Sequence, residues 1–305
     1  MTDEFAFIDR LRALATHYAA RGLTDDAAVL AVGGAKLVLT SDTLVEGVHF
    51  RHDDPADSVG WKLAAVNLSD LAAKGAKPVA CLMNYALSGD AGWDARFLEG
   101  LGAILGEHGC ALIGGDTVRM PPGAPRSFTL TAIGEAAARV PARSGVFSGD
   151  VLWVTGTVGD AGAGLALLDA GRTTPAVLID AYRRPQPLVA QGQALAPLVA
   201  AMMDVSDGLL IDAERMAKAS RVGIEIDLDR VPLSNAFISM RGDGDAARLF
   251  AATAGDDYQL LFTLPAGVKP PVAATAIGTC RAGSGLTVTA GGRQVALPAS
   301  LGWRH

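Results

Sequence analysis

The chain has 305 residues, half of them hydrophobic, and a formal net charge of −6. This length suffices for two ordinary domains, each with its own core, and the apolar content excludes a disordered chain. The acidic balance and the absence of any Lys/Arg run argue against a nucleic-acid partner, because phosphate backbones bind concentrated basic faces. A small phosphorylated substrate remains open, since metal ions can screen its charge.

Cysteine spacing and hydropathy indicate the cellular compartment in which we expect the protein. Cys81, Cys110 and Cys280 lie far apart and form no metal-ligand spacing, so we expect reduced core residues. No apolar stretch reaches about 18 residues, and no basic region followed by an apolar run opens the chain. We therefore expect a cytoplasmic protein without a membrane segment.

The first half of the sequence alternates between helical spacing and short apolar runs. A first helix is expected to begin near Phe5 and to end near Gly22, and another spans 57–74 with Gly75 as its C-terminal cap. Period and length also predict strands over 27–30, 37–39, 79–87, 111–113 and 128–135, and a helix over 93–108. The sequence thus predicts an α/β unit.

Small residues and a proline over 136–141 mark a domain boundary, which divides the chain into 1–138 and 139–305. The glycines over 156–164 fit neither G-x-G-x-x-G nor a P-loop, so we interpret them as a structural turn. The second half is predicted to contain strands over 151–154, 223–228 and 259–264, helices over 165–170, 188–202 and 209–219, and a hairpin at Gly291-Gly292. The fold class is α/β (α+β) in two domains.

The chemistry is concentrated where the strand over 37–39 ends. Thr40, Ser41, Asp42 and Thr43 follow it directly and supply three hydroxyls and one carboxylate, which are the hard oxygen ligands that magnesium prefers. His49 comes seven residues after Asp42. The alternative is a polar strand end with solvated hydroxyls and a surface histidine.

Asp70 is unusual because it shares a helix face with an apolar stripe. At 100° per residue, Val59, Leu63, Val66 and Asp70 lie on one side of the helix over 57–74. A buried carboxylate must neutralise itself or find a cation. The alternative is an i,i+4 pair with Lys74.

Two further acidic groups lie beside apolar segments. Asp25 and Asp26 precede a predicted strand, where adjacent carboxylates could also form a solvated turn. Asp204, Ser206 and Asp207 precede a predicted helix, although one such residue would be enough to cap it. The three together therefore indicate another purpose.

Aspartates at the ends of elements, beside glycine or hydroxyl residues, recur along the chain. If these ends converge, their charge requires several divalent cations, and oxygen-only ligands select magnesium or manganese rather than zinc. Such a site suits a polyphosphate nucleotide. The aspartates concerned are Asp26, Asp42, Asp70, Asp116, Asp204 and Asp207.

Six ordered segments, spanning nearly the whole chain, resemble those of the thiamine-monophosphate kinase family. That family is similar to aminoimidazole ribonucleotide synthetase and selenophosphate synthetase, which bind ATP without a P-loop. The segments are Thr24-Asp25-Asp26-Ala27, Ser41-Asp42-Thr43-Leu44-Val45-Glu46-Gly47-Val48-His49-Phe50, Val66-Asn67-Leu68-Ser69-Asp70-Leu71-Ala72-Ala73, Gly114-Gly115-Asp116-Thr117, Asp204-Val205-Ser206-Asp207-Gly208-Leu209 and Gly255-Asp256-Asp257-Tyr258.

The resemblance implies a thiamine-phosphate kinase that transfers the γ-phosphoryl group of ATP to thiamine monophosphate. Transfer would be direct and in line, without a general base, because the phosphate nucleophile is already ionised. The resemblance also implies a homodimer formed through N-terminal strands, with an N-terminal mixed-sheet domain and a C-terminal α+β domain closing over the nucleotide.

The same resemblance assigns roles to individual residues. His49, Asp256 and Trp303 would contact thiamine monophosphate, and Gly115, Asp116, Arg143 and Ser206 would lie at the ATP. The residues implied to hold several Mg²⁺ ions are Asp26, Thr40, Ser41, Asp42, Asp70, Asp116, Asp204 and Asp207.

This chain departs from the family pattern at two positions. Asp256 stands where the family usually has glutamate, which places its contact with the substrate in question, and Thr24 stands where a glycine is usual. The alternative functions are another ATP-using enzyme of the superfamily, a catalytically silent nucleotide- or thiamine-phosphate-binding protein, and a structural protein with solvated acidic turns.

Overall fold

Two β-sheets joined by a buried helix organise the computed structural model, which describes residues 4–137 and 139–304. The first sheet has five strands in the order β1-β2-β5-β3-β4, and only the β3–β4 pair is parallel. Its strands are β1 (Ala28–Val32), β2 (Ala35–Val45), β3 (Ala76–Leu87), β4 (Ala111–Arg119) and β5 (Ser127–Ala136).

The second sheet has seven strands in the order β12-β11-β8-β10-β6-β9-β7 and is also mixed, because β11 and β8 run parallel. Its strands are β6 (Val151–Thr155), β7 (Met202–Asp204), β8 (Gly223–Asp227), β9 (Leu260–Leu264), β10 (Ala274–Arg281), β11 (Gly285–Ala290) and β12 (Arg293–Val295).

Helices pack against both sheets. They are α1 (Glu4–Arg12), α2 (Ala56–Ala73), α3 (Ala91–Glu107), α4 (Asp160–Asp169), α5 (Ala176–Arg183), α6 (Val189–Leu195), α7 (Leu209–Ser220), α8 (Asn235–Arg241) and α9 (Asp245–Thr253). Two short 3₁₀ helices cover Tyr18–Leu23 and Leu228–Arg230. No helix among the described residues is long and apolar enough to cross a membrane.

Helix α2 is buried along nearly its whole length, because α3 and the first sheet cover it on one side and α6 and β7 on the other. Glycines make this close packing feasible. A Cβ on Gly60 would lie 2.1 Å from Phe97 O, and one on Gly100 would lie 1.8 Å from Asp57 O. Side chains on α2 can therefore reach groups in both halves of the molecule.

The first sheet has one open face and two free edges. The side chain of Ser41 lies on the open face, where its hydroxyl bonds Thr131, while Leu44 is buried on the helix side. All nine residues of β4, the edge strand, are exposed. At the other end, β1 pairs with β2 only as far as Leu39, so among the described residues β2 has no strand partner on its outer side over 40–45. The Asp42 N–H in this stretch donates instead to Asn67 Oδ1 at 3.1 Å.

Several predicted elements have different bounds in the structure. The helix predicted to end near Gly22 ends at Arg12; a turn follows it, and Tyr18–Leu23 form a separate 3₁₀ helix in which Arg21 and Gly22 adopt positive φ. The helix predicted over 188–202 was wrong beyond Leu195, because Met202 begins a strand that pairs with β9. Strand β2 continues past 37–39 through its polar residues, because one face of the sheet is open. Residue 138, at the predicted boundary, lies outside the described residues.

Candidate active site at the junction of the two sheets

A cavity of about 860 Å³ opens where the ends of β2 and β7 meet the C-terminal half of α2. Both halves of the chain contribute to its wall. Eight of the residues proposed from the sequence line it, namely Asp42, His49, Asp70, Asp204, Ser206, Asp207, Asp256 and Trp303.

Carboxylates from separate segments meet at the floor of this cavity, which Asp42, Asp70 and Asp204 line, while Asp26 lies beside Asp70 and Asp204 without lining it. One oxygen each of Asp26, Asp70 and Asp204 lies within 4.8 Å of the others. The hydroxyl of Thr40 donates a hydrogen bond to Asp70, and that of Ser69 donates to Asp204 Oδ2 at 2.6 Å. These hydroxyls fix the carboxylates without neutralising them.

The electrostatics of the floor disfavour bare carboxylates. Burial raises the pKa of Asp204 to about 7 and that of Asp42 to about 6, and the charge of Asp26 adds to both shifts. Burial, followed by the charges of Asp42 and Asp204, raises the pKa of Asp70 well above its usual value. This side of the cluster therefore lacks positive charge.

Asp26 lies in the opposite environment. Burial alone would raise its pKa, but Arg143 and Lys74 lower it below the usual value. The Lys74 ammonium is 2.6 Å from Asp26 Oδ2 and also binds Asp25, and both aspartate side chains are only 3% exposed. The solvated-turn alternative for Asp25 and Asp26 is therefore wrong, and so is the side-chain pairing of Lys74 with Asp70.

A network beneath the cavity holds the turn over 204–208. Buried Asp212 accepts hydrogen bonds from the backbone N–H groups of Ser206, Asp207 and Gly208, through Oδ2 at 3.1 to 3.3 Å. Arg215 then bridges Asp212 and Asp207. Sequence reasoning missed Asp212, whose only signal is its place five residues beyond Asp207 on the next helix.

The side of the cavity lined by His49 and Asp256 depends on Lys62, which the sequence reasoning also missed. Its ammonium donates to Asp256 Oδ2 at 2.7 Å and to the His49 carbonyl at 3.1 Å, and it lies 4.1 Å from the centre of the Tyr182 ring. It therefore joins both halves of the chain. A lysine next to the apolar stripe of α2 is the same kind of signal that singled out Asp70.

Asp256 is held in an unusual backbone conformation. Its φ is +68°, a region that L-residues seldom occupy. Its N–H donates to Ser206 O at 2.7 Å, and its Oδ1 accepts from the Tyr258 hydroxyl at 3.0 Å. Trp303, half exposed, is tied to the same region because its N–H donates to Asp207 O at 2.9 Å.

Other proposed residues lie away from the cavity wall. Ser41 points to the open face of the sheet. Arg143 contacts Asp26 behind the cluster, and its Nε has no hydrogen-bond partner among the described residues. Gly115 and Asp116 lie on edge strand β4, three strands from β2, which is about 14 Å at the usual strand spacing.

The donor set fits magnesium. The ligand atoms are carboxylate and hydroxyl oxygens, which magnesium prefers. A divalent cation would offset the burial and the mutual repulsion that raise the pKa values of Asp42, Asp70 and Asp204.

Comparison with known proteins identifies the family. Residues 24–136 match the model "AIR synthase related protein, N-terminal domain", and residues 148–291 match "AIR synthase related protein, C-terminal domain". The thiamine-monophosphate kinase of Salmonella typhimurium is 42% identical over 80% of this chain and 76% of its own length. The Caulobacter vibrioides thiamine-monophosphate kinase is 36% identical over 93% and 84%.

A solved structure extends this similarity to the fold. AaThiL complexed with AMPPCP and TMP aligns with a TM-score of 0.89 at 32% identity, covering 99% of this chain and 97% of that one. The fold class and the family that the sequence predicted are both confirmed. The chain belongs to the thiamine-monophosphate kinase family, with two domains of the AIR synthase type.

Proposed function

We propose that this protein transfers the γ-phosphoryl group of ATP to thiamine monophosphate, giving thiamine diphosphate and ADP. The observation that carries this proposal is the position of the buried carboxylates Asp42, Asp70 and Asp204 in the same cavity as His49 and Asp256. The relative complexed with AMPPCP and TMP supports an ATP-like nucleotide and thiamine monophosphate as the pair of ligands.

The site residues act by binding, orientation and charge placement. A phosphate oxygen of thiamine monophosphate is ionised near neutral pH, so the attack needs no general base among the side chains. His49 and Asp256, joined by Lys62, orient the acceptor from opposite halves of the chain. Trp303 offers an aromatic face at the rim for a ring of thiamine.

The nucleotide phosphates would lie over the carboxylate floor. Bound Mg²⁺ would neutralise the charge of the transferring phosphoryl group and align it. Ser206 lies at the cavity wall, and Arg143, which contacts Asp26 behind the cluster, has an Nε–H without a partner among the described residues. The proposed magnesium ligands near the cavity are Asp26, Thr40, Asp42, Asp70, Asp204 and Asp207. Asp116 would join them from a second copy, and Ser41, whose side chain lies on the open face of the sheet, stays a prediction of the resemblance.

We propose a homodimer, because Asp116 cannot reach the cluster of its own chain. Edge strand β4 is fully exposed and carries exposed Leu112, Ile113 and Val118. Among the described residues β2 also has no strand partner on its outer side over 40–45, where Asn67 Oδ1 accepts from the Asp42 N–H. Pairing of β4 with this edge in a second copy would bring Gly115 and Asp116 to the partner's site and cover the apolar side chains.

The proposed boundary between the domains stays at residues 138 and 139, in the connection between β5, which ends at Ala136, and β6, which begins at Val151. We also propose a cytoplasmic location, as the three free, buried cysteines suggest.

The test is magnesium-dependent ADP release with and without thiamine monophosphate, with identification of the phosphorylated product. We expect ADP and thiamine diphosphate to form together, and the Asp42→Asn variant to form neither. ADP release that does not depend on thiamine monophosphate would contradict the proposed acceptor and leave another phosphorylated substrate as the alternative.

A further inference from the structure

The loop between β2 and α2, residues 46–54, carries His49 and ends in a buried aspartate. The side chain of Asp54 is 3% exposed and comes directly before Pro55, the N-cap of α2. Its Oδ2 accepts a hydrogen bond from the Arg51 N–H at 2.8 Å, which fixes the end of the loop. His49 lines the cavity, whereas Asp54 lies behind its wall.

Asp54 also joins this loop to helix α5 in the second half of the chain. The Tyr182 hydroxyl donates to Asp54 Oδ2 at 3.1 Å, and Arg183 Nε donates to Asp54 Oδ1 at 2.8 Å. Both donors belong to α5, and Tyr182 is itself buried. A buried carboxylate with these partners is held in one position, because any displacement leaves a charge or a donor unsatisfied.

Tyr182 connects Asp54 to the side of the cavity that His49 and Asp256 line. Tyr182 lines the cavity as well, and the Lys62 ammonium lies 4.1 Å from the centre of its ring. The same ammonium donates to the His49 carbonyl and to Asp256. Asp54, Tyr182 and Lys62 therefore form one continuous set of contacts that ends at His49.

A second ion pair between the same two segments is more exposed. Arg184 of α5 binds Asp57, three residues after Asp54, but the Asp57 side chain is 33% exposed and that of Arg184 is 40%. Ion pairs in contact with solvent fix the position of their partners only weakly. Asp57 is therefore a matched comparison for Asp54.

We propose that Asp54 is a positioning residue, which locks the loop with His49 onto α5 and thereby fixes the acceptor side of the cavity. This inference rests on the proposed function, because it takes thiamine monophosphate as the acceptor. Asp70 and Asp204 of the floor are held by other groups, the hydroxyls of Thr40 and Ser69. Acceptor binding should therefore depend on Asp54, whereas nucleotide binding should not.

The kinetic test compares Asp54→Asn with wild type in magnesium, ATP and thiamine monophosphate. The amide removes the charge opposite Arg183, so KM for thiamine monophosphate should rise at least about tenfold, while KM for ATP should change less than about twofold. Asp57→Asn should leave both KM values near those of wild type, even where its Tm falls. An unchanged acceptor KM in Asp54→Asn, an equal rise of both KM values, or the same acceptor effect in Asp57→Asn would overturn the proposal.

Tyr182→Phe tests the same connection with Asp54 in place. The variant keeps the ring next to Lys62 and removes only the hydroxyl, so KM for thiamine monophosphate should again rise. The double variant should cost less than the two single effects together, because both remove one contact. Failure of both single variants to fold would overturn the proposal, since Asp54 would then be purely structural.

Hydrogen exchange measures how firmly the loop is held without any ligand. In Asp54→Asn the amides over 47–51 should exchange at least about tenfold faster than in wild type, while those of β9 should not change. Unchanged exchange over 47–51 would overturn the proposal. If wild type forms no thiamine diphosphate but exchange rises as expected, the proposed function fails while the role of Asp54 in holding the loop stands, so the two failures are distinguished.

Discussion

At the scale of single residues, the site combines carboxylates that lack a counter-charge with one that has two. Asp42 and Asp70 face other carboxylates in a buried setting, whereas Asp26 contacts Lys74 and Arg143. Opposite environments a few ångströms apart are what a site for a polyphosphate and its metal ions requires, because the ligand itself completes the balance of charge.

Asp42→Asn should abolish turnover, reducing kcat at least about 100-fold, because it removes a charged oxygen ligand at the centre of the floor. The fold should be retained, since the amide relieves burial of a charge. Circular dichroism and steady-state kinetics check both parts. Asp243→Asn, at an exposed position, is the control and should match wild type. An active Asp42→Asn enzyme would contradict the metal site.

Lys62→Met should raise KM for thiamine monophosphate about tenfold, with a smaller effect on KM for ATP, because Lys62 holds Asp256 and the His49 carbonyl. Exposed Lys269→Met serves as the comparison. Combining Lys62→Met with Asp256→Asn should cost less than the two single effects together, since both remove one contact. Additive effects would show that the two residues act separately.

At the scale of elements, α2 and β4 have different roles. Helix α2 carries Lys62 and, two turns later, Asp70, with Lys74 as its C-cap, and contacts elements of both sheets, so one rigid element positions the two sides of the cavity together. Strand β4 carries Gly115 and Asp116 on an exposed edge of the first sheet, three strands from β2.

Ile113→Lys should convert the proposed dimer to a monomer and reduce activity strongly, because it places a charge on the apolar edge strand. Sedimentation velocity and kinetics measure both effects. Leu98→Lys, on an exposed position of α3, is the control and should remain dimeric. A fully active Ile113→Lys monomer would contradict a role for the second copy.

Mixing two inactive variants tests whether a second copy of the chain contributes Asp116 to the site. Asp42→Asn and Asp116→Asn should each be inactive alone, but mixed dimers would contain one site with both aspartates intact. Random exchange would then restore about a quarter of wild-type activity, because half of the dimers are mixed and one of their two sites is complete. No recovery would mean that Asp116 acts within its own chain.

The elements also show how much of the fold and of the site could be predicted from the sequence. The strand end over 40–43 and the α2 face with Asp70 were found because hydroxyls and a carboxylate beside apolar runs are rare. Lys62 and the true partners of Lys74 were not found, because their contacts join residues far apart in the chain. Asp212 was not found, because only the folded turn brings the N–H groups of residues 206–208 to its carboxylate. The short helix α6 was overextended because strand pairing by Met202 overrides local propensity.

At the scale of the whole molecule, stability without metal should depend on pH. Burial raises the pKa of Asp204 to about 7, so the folded state keeps a proton that the unfolded chain releases above about pH 4. The unfolded state then binds fewer protons, and this group's contribution to stability falls as pH rises toward 7. Magnesium should reverse that loss, because it binds the ionised cluster.

Asp204→Asn isolates this effect, since the amide oxygen can still accept from Ser69. In EDTA the variant should melt close to wild type at pH 5 and a few degrees above it at pH 8. Excess magnesium should stabilise wild type more than the variant. A Tm difference in EDTA that does not change between the two pH values would show that the carboxyl does not titrate there.

The most direct test of the central claim is transfer of label from γ-³²P-ATP with magnesium and thiamine monophosphate. The account predicts that labelled thiamine diphosphate appears in step with ADP, that no label stays on the protein, and that Asp42→Asn transfers none. Labelled protein, or label released as inorganic phosphate without thiamine diphosphate, would contradict direct transfer at this cluster.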